Sequence, residues 1–165
     1  MSIFIMLCGQ GGSGKSTFSK KIKEEFPYTN IQVCAIDNIV PKSMDKMDKK
    51  EREFYYKQFI AQTQEAIDQD SSVIIVDFCF DTRGLREDFL SSLSFSPNTN
   101  FICIRMKPPI ETIIKWEVIK HGNISPELIE LISRVYNEFQ DFEDWEFEDY
   151  GFASVNTFVV NPEYY

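Results

Sequence analysis

Short apolar runs alternate with longer amphipathic stretches along this chain. Ile3-Phe4-Ile5-Met6-Leu7-Cys8 is continuously apolar, as a strand covered on both faces must be. Asn30-Ile31-Gln32-Val33-Cys34-Ala35-Ile36 reads as a second strand ending at Asp37, and Ser72-Val73-Ile74-Ile75-Val76 as a third ending at Asp77. A fourth covers Asn100 to Arg105 and a last one Thr157 to Val160. The intervening stretches carry the helical period. One begins at Lys15 and runs through Ile22; another spans Lys49 to Asp68, with Tyr55, Phe59, Thr63 and Ile67 four residues apart. A third helix is expected from about Arg83 to Leu93, and a fourth from Pro108-Pro109 to about Lys120, broken by His121-Gly122-Asn123. Ser125 then serves as N-cap and Pro126 as first-turn residue of a fifth. Pro41 to Asp48 reads as a polar connection. Strands alternating with helices over short links predict a three-layer α/β domain with a five-stranded, mostly parallel sheet.

Composition sharpens this picture only in places. A length of 165 residues with 43% hydrophobic content fits one domain over 1–165 with a full core. No apolar stretch is long enough to span a membrane, and no signal-type segment opens the chain, so a cytoplasmic protein is expected. Cys8, Cys34, Cys79 and Cys103 lie in or just after apolar runs and match no zinc spacing, which predicts core or near-core thiols. The net charge of −9 is lopsided. Eight of the 26 acidic residues (Glu138, Asp141, Glu143, Asp144, Glu146, Glu148, Asp149 and Glu163) follow the last basic residue, Arg134, leaving 18 acids against 17 bases before it. Phe139, Phe142, Trp145, Phe147 and Tyr150 interleave with those acids, so the segment is expected to pack as a helix or turn with an acidic outer face. The acidic balance disfavours tight nonspecific binding of nucleic acid.

The chemistry concentrates at the end of the first strand. Gly9-Gln10-Gly11-Gly12-Ser13-Gly14-Lys15-Ser16-Thr17 satisfies the G-x-x-x-x-G-K-[ST] pattern in its required place, between a strand and a helix. Glycines at 9, 11, 12 and 14 are expected to permit positive φ and close backbone approach, so that successive N–H groups wrap a phosphate chain. The helix opening at Lys15 aims its positive end at the same anion. Lys15 brings an ammonium to the β- and γ-phosphates, and the Ser16 hydroxyl is placed to ligate Mg²⁺. A nucleoside triphosphate is the expected ligand, and the frame becomes that of a phosphate-loop NTPase. The chain contains no Asn-Lys-x-Asp motif, which disfavours a GTPase switch, and its length disfavours a ring-forming ATPase.

Ligands of open parallel sheets gather at the carboxyl ends of the strands, where Asp37 and Asp77 also fall. A carboxylate there accepts a proton from an attacking hydroxyl or holds Mg²⁺; the alternative for each aspartate is capping or a turn. Arg83 and Arg86 follow Asp77 closely, either as anion holders or as helix residues paired with Glu87 or Asp88.

Val76-Asp77-Phe78-Cys79-Phe80-Asp81-Thr82-Arg83-Gly84-Leu85-Arg86 resembles the strand-three signature of the small phosphate-loop kinases, a group that includes polynucleotide 5′-hydroxyl kinases and zeta-toxin-like kinases. The stretch from Ile124-Ser125-Pro126-Glu127 through Phe139 and the acidic run resembles that family's closing region. The resemblance implies an adenylate-kinase-like fold with a small helical lid at about 107–130. It implies that Asp37 is the general base and that Arg83 and Arg86 hold a substrate anion or the triphosphate; Ser16 from the loop pattern and Asp77 from its strand-end position are the candidates to attend the metal. The family's lid usually carries arginines; residues 107–123 here hold Lys107, Lys115 and Lys120 instead, with Lys115 and Lys120 as the candidates for that role. The leading expectation is a kinase transferring the γ-phosphoryl of Mg-ATP to a hydroxyl of a small molecule or nucleotide, with Lys15, Asp37 and Arg86 as its catalytic set. A polynucleotide 5′-hydroxyl kinase is the alternative, although no basic stripe is present for the strand. A catalytically weak ATP-binding regulatory module is the alternative from another class.

Overall fold

Burial on both faces orders the apolar runs into one sheet. The structure is a computed structural model and describes residues 1–162; Glu163, counted in the acidic tail, lies outside them. The strands are β1 (Ser2–Cys8), β2 (Ile31–Ala35), β3 (Val73–Asp77), β4 (Thr99–Met106) and β5 (Ser154–Val160). They pair in the order β2-β3-β1-β4-β5, and every pairing is parallel. The helices are α1 (Lys15–Glu25), α2 (Lys49–Asp68), α3 (Arg83–Ser91), α4 (Ile110–His121) and α5 (Pro126–Glu138). The sheet and its flanking helices form the three-layer α/β fold of phosphate-loop NTPases.

The two faces of β1 show how the pattern works. Phe4, Met6 and Cys8 point to one side and join Phe59 of α2 and Phe89 and Leu90 of α3 in the larger core. Ile5 and Leu7 point to the other, with Ile31, Ile75, Ile104 and Met106, packed under Phe18 and Ile22 of α1. Cys8 and Cys103 meet inside the first core with sulfurs 3.6 Å apart, both as free thiols. Cys34 is buried as well, while Cys79 is only half-buried because it lies past the strand end.

Several boundaries differ from the sequence expectation, each for a local reason. β2 stops at Ala35, and Asp37 sits in a 3₁₀ turn, Ile36–Asn38, where the chain leaves the sheet edge. The connection 41–48 is not wholly polar in its packing: it contains a second 3₁₀ turn, Met44–Lys46, and Met47 is buried. β5 starts three residues early, at Ser154, because its parallel pairing with β4 carries the pattern back through polar Ser154 and Asn156. The acidic segment folds as a 3₁₀ helix, Asp144–Tyr150, with Phe147 anchored in the core against Phe101, ring centroids 4.8 Å apart. No described helix is long and apolar enough to cross a membrane.

Candidate functional site

β1 ends at Cys8, and Gly9 to Gly14 turn the chain over the sheet edge into α1. Gly9 N–H donates to the carbonyl of Cys79 at 3.0 Å, which ties the loop to the turn after β3. A Cβ on Gly9 would lie 2.8 Å from the carbonyl oxygen of Met106, so only glycine lets the loop approach β4 this closely. Gly12 has φ +78° and sits under α4: a Cβ there would stand 2.8 Å from Glu117 Oε1 and 3.4 Å from Ile113 Cγ2. Gly11 departs from expectation. It is outside the positive-φ set, and an added Cβ would meet nothing within 4 Å.

Within the loop the Ser13 N–H donates to the Gln10 carbonyl at 3.2 Å, while the start of α1 has no side-chain cap. α2, α3 and α5 are capped by the side chains of Asp48, Thr82 and Ser125, whereas α1 has glycine at its cap and no side-chain acceptor for its first N–H groups. An anion is the natural cap for such an end. Ser13 Oγ is fully buried with no hydrogen-bond partner among the described residues. Lys15 is 9% exposed, and its Nζ donates to the carbonyls of Gly9 and Gln10 at 2.7 and 3.0 Å. No carboxylate neutralises it among the described ion pairs.

Ser16 Oγ donates to Asp77 Oδ2 at 2.7 Å, joining the two residues expected to attend the metal. Asp77 closes β3 and is 6% exposed. This pair of hard oxygen groups fits Mg²⁺, which binds through one or two protein oxygens together with phosphate and water rather than through a protein cage. Asp37, Asp77, Lys15, Ser16 and Thr17 all line one cleft of about 1060 Å³, walled on the far side by Trp116, Glu117 and Lys120 of α4 and by Leu128, Leu131, Ile132 and Val135 of α5.

Other predicted residues go elsewhere. Arg86 is not part of the cleft lining; it is 1% exposed and spends its donors on Glu146 (Nε to Oε2 3.0 Å, Nη2 to Oε1 3.1 Å) and on the carbonyls of Phe80 and Gln140 (2.9 and 3.0 Å). The acidic segment supplies that carboxylate from 60 residues away, a pairing that neither Glu87 nor Asp88 could signal. Phe80, at φ +46°, is held in its left-handed turn by the same guanidinium. Arg86 is therefore a clamp on the turn that carries Cys79 rather than a ligand for phosphate. Arg83 is half-exposed, 3.4 Å from Glu146 Oε1 and 4.7 Å above the Trp145 ring. Lys120 lines the cleft and Lys115 does not, because the two lie five residues apart on α4 and face different sides.

Sequence reasoning missed Glu117, whose carboxylate approaches the phosphate loop and pairs with His121 at 3.4 Å, and Asp45, brought to the cleft by a turn with no strong motif. It also missed Arg105, which closes β4 beside Gly9 and Gln10, stacks 4.1 Å from the Phe139 ring and pairs with Asp141. Burial lowers that guanidinium from its ordinary value. Cys79, beside Lys15, has its thiol pushed up to about 11, by burial first and by Asp81 second.

Comparison with known proteins agrees with this fold. The chain is similar to a chain of the Pnkp1/Rnl/Hen1 RNA repair complex, with 20% identity and a TM-score of 0.66 over 84% of this chain and 44% of that one. It thus spans less than half of that protein's length. It is similar to a fungal RNA kinase (15% identity, TM-score 0.61, 94% and 74% covered) and to deoxyadenosine kinase from M. mycoides (21%, 0.56, 97% and 91%). At these identities the likeness is one of fold, and it bears out the kinase-like phosphate-loop resemblance read from the motifs. Residues 1–148 match the family described as chromatin associated protein KTI12, and the chain belongs to that family.

Proposed function

We propose that this protein is an ATP-dependent phosphotransferase that moves the γ-phosphoryl group of Mg-ATP to a hydroxyl of a small molecule or nucleotide. One observation carries the reading: an unneutralised Lys15, the Ser16–Asp77 pair and Asp37 converge on a single cleft. Backbone N–H groups from Gly11 to Ser16 and the Lys15 ammonium hold the polyphosphate. Ser16 and Asp77 would hold Mg²⁺, which when bound offsets charge on the β- and γ-phosphates. Asp37 takes the proton of the acceptor hydroxyl onto its carboxylate while the acceptor oxygen bonds to the γ-phosphorus and the bond to the β–γ bridging oxygen breaks, releasing ADP. Residues 107–130 act as the lid, with Lys120 facing the cleft and apolar side chains of α5 excluding water.

The test is transfer of labelled phosphate from ATP across nucleosides, sugars and oligonucleotides, with Asp37→Asn beside the native protein. ATP affinity should persist in the variant while transfer falls at least about a hundredfold, the range of general-base catalysis. Transfer at the native rate would remove Asp37 from its role. A second reading, a nucleotide-binding module with weak transfer, draws on one observation: the basic residues lining the cleft, Lys15, Lys21 and Lys120, include no arginine. Tight ATP binding with no product from any acceptor would favour it.

A further inference from the structure

The cleft is larger than one nucleotide needs, and one of its walls is apolar without being covered. Ligand sites ordinarily occupy about 300–1,000 Å³, so 1060 Å³ accommodates a nucleoside triphosphate together with a second molecule. On α5, Leu128, Leu131, Ile132 and Val135 fall at i, i+3, i+4 and i+7, the spacing that normally turns one stripe of a helix into a core. Here the stripe lines the cleft instead. Among the described residues of α5 only Ile132 is buried, and Leu131 is 42% exposed.

The anchoring of α5 sets which half of the cleft it walls. Just past its C-terminus, Gln140 is fastened to the turn after β3: its N–H donates to the Asp81 carbonyl at 2.8 Å, and its Oε1 accepts from the Arg83 N–H at 2.9 Å. That turn begins with Phe78, which lines the cleft together with Ile36 and Met44 from the two 3₁₀ turns after β2. β2 and β3 are neighbours in the sheet, so these three side chains come from one side of the phosphate loop. This half is therefore bounded by apolar groups from α5 and by apolar groups from the strand-end turns.

The charged groups of the cleft sit around that half rather than within its walls. Asp37 follows Ile36 directly, and Ser43 and Asp45 flank Met44 and hydrogen-bond to each other. Asp77 is engaged by Ser16. Glu117, on the α4 wall, lies against Gly12 and pairs with His121 at 3.4 Å, which places its carboxylate at the phosphate end. Lys15, Lys21 and Lys120 come from the loop, α1 and α4, and none from either apolar wall. An apolar stripe open to a cleft marks the seat of a ligand with apolar surface of its own. Whatever accepts the phosphoryl group must reach Asp37, and so lies between these walls.

Resting on the phosphotransfer reading above, we infer that the acceptor is a hydroxyl compound with a hydrocarbon body, an alkyl or ring-bearing alcohol rather than a polyol or a phosphorylated compound. Its reacting hydroxyl meets Asp37. Its carbon skeleton is held between Met44 and Phe78 on one side and Leu128 and Leu131 on the other.

The test measures kcat/KM for labelled-phosphate transfer in three arms: straight-chain alcohols from ethanol to hexanol, polyols of the same chain lengths, and phosphate-bearing acceptors (nucleoside monophosphates and 5′-hydroxyl oligonucleotides). In the alcohol arm kcat/KM should rise about fourfold with each added methylene, as burial of that group against apolar walls requires. The polyol arm should show no such rise, and the phosphate-bearing arm should be used least. Leu131→Asn and Met44→Gln, one on each wall, should each lower the rise to about twofold per methylene. A stripe that merely meets the far wall when the lid closes would slow every acceptor by one common factor and leave the rise unchanged. Leu131 is partly exposed and Met44→Gln preserves side-chain length, so both variants should fold, which circular dichroism checks. A flat alcohol series in the native protein, faster use of phosphate-bearing acceptors, or an unchanged rise in both variants would overturn the inference and leave phosphotransfer standing. If ATP binds in a Lys15-dependent way and no arm is labelled, the transfer reading itself falls and takes the inference with it.

Discussion

Lys15 and Arg86 are both buried cations near the carboxyl ends of central strands, yet the structure uses them in opposite ways. Arg86, at 1% exposure, has a bidentate carboxylate and three carbonyls around it. Lys15, at 9%, has only two carbonyls of its own loop. A buried charge that carries its own counter-ion is a fixed part of the architecture. One that leans on neutral dipoles retains most of its charge for a ligand that arrives later. The partner list, more than the residue type or the distance from a strand end, separates clamp from binding device.

The sharpest way to break that distinction is to remove each cation in turn. Arg86→Met should cost about 3 kcal/mol of folding stability, because buried Glu146 is left with only the half-exposed Arg83 as a counter-ion. Phe80 also loses the donor that holds its strained turn. Urea unfolding would read the loss, and nucleotide affinity of the folded fraction should change less than tenfold. Lys15→Ala should show the reverse profile. Two charge-assisted hydrogen bonds at roughly 1.5 kcal/mol each correspond to about a hundredfold weaker nucleotide binding. Its unfolding midpoint should stay near the native one, since no ion pair is broken. Equal stability losses in the two variants would erase the difference between the sites.

These contrasting roles explain what the sequence could and could not disclose. The fold was legible because β1 and β3 are apolar on both faces and the helices between them are amphipathic; the boundaries of β1 to β4 lie within a residue of the expectation, and the largest slip is at β5, an edge strand whose first alternate residues, Ser154 and Asn156, are polar. The loop 9–17 was legible because its geometry is local: each donor lies within a few residues of the next. Arg86 was misjudged because its partner Glu146 lies 60 positions away, and a carboxylate so distant leaves no periodic trace. Asp45 and Glu117 escaped notice for the same reason: each reaches the cleft only through the packing of a turn or a helix against the loop.

Within the loop itself the comparison can be sharpened with a methyl group. Gly12→Ala forces a side chain into a left-handed backbone and against Glu117 and Ile113, at a cost of about 1–2 kcal/mol. Gly11→Ala meets open space in ordinary backbone and should cost less than about 0.5 kcal/mol. Thermal melting gives the first quantity, and calorimetric ATP titration should show the same order of harm. Were Gly11→Ala the worse of the two in melting, the loop geometry described above would be incorrect.

The smallest effect is expected at Arg83, which shares Glu146 with Arg86 but not its burial. Its guanidinium is half-exposed, approaches Glu146 only to 3.4 Å, and rests 4.7 Å above Trp145. A long contact from a half-exposed cation is worth under about 1 kcal/mol, and the ring contact adds a similar amount at most. Glu146 keeps its two hydrogen bonds from Arg86 when Arg83 is truncated, so no buried charge is stranded. Arg83→Ala should therefore lower stability by no more than about 1 kcal/mol and leave phosphate transfer within a factor of two. A tenfold fall in kcat/KM with unchanged stability would instead place this arginine on a substrate anion. That result would also show that proximity to a carboxylate does not by itself retire a cation from binding.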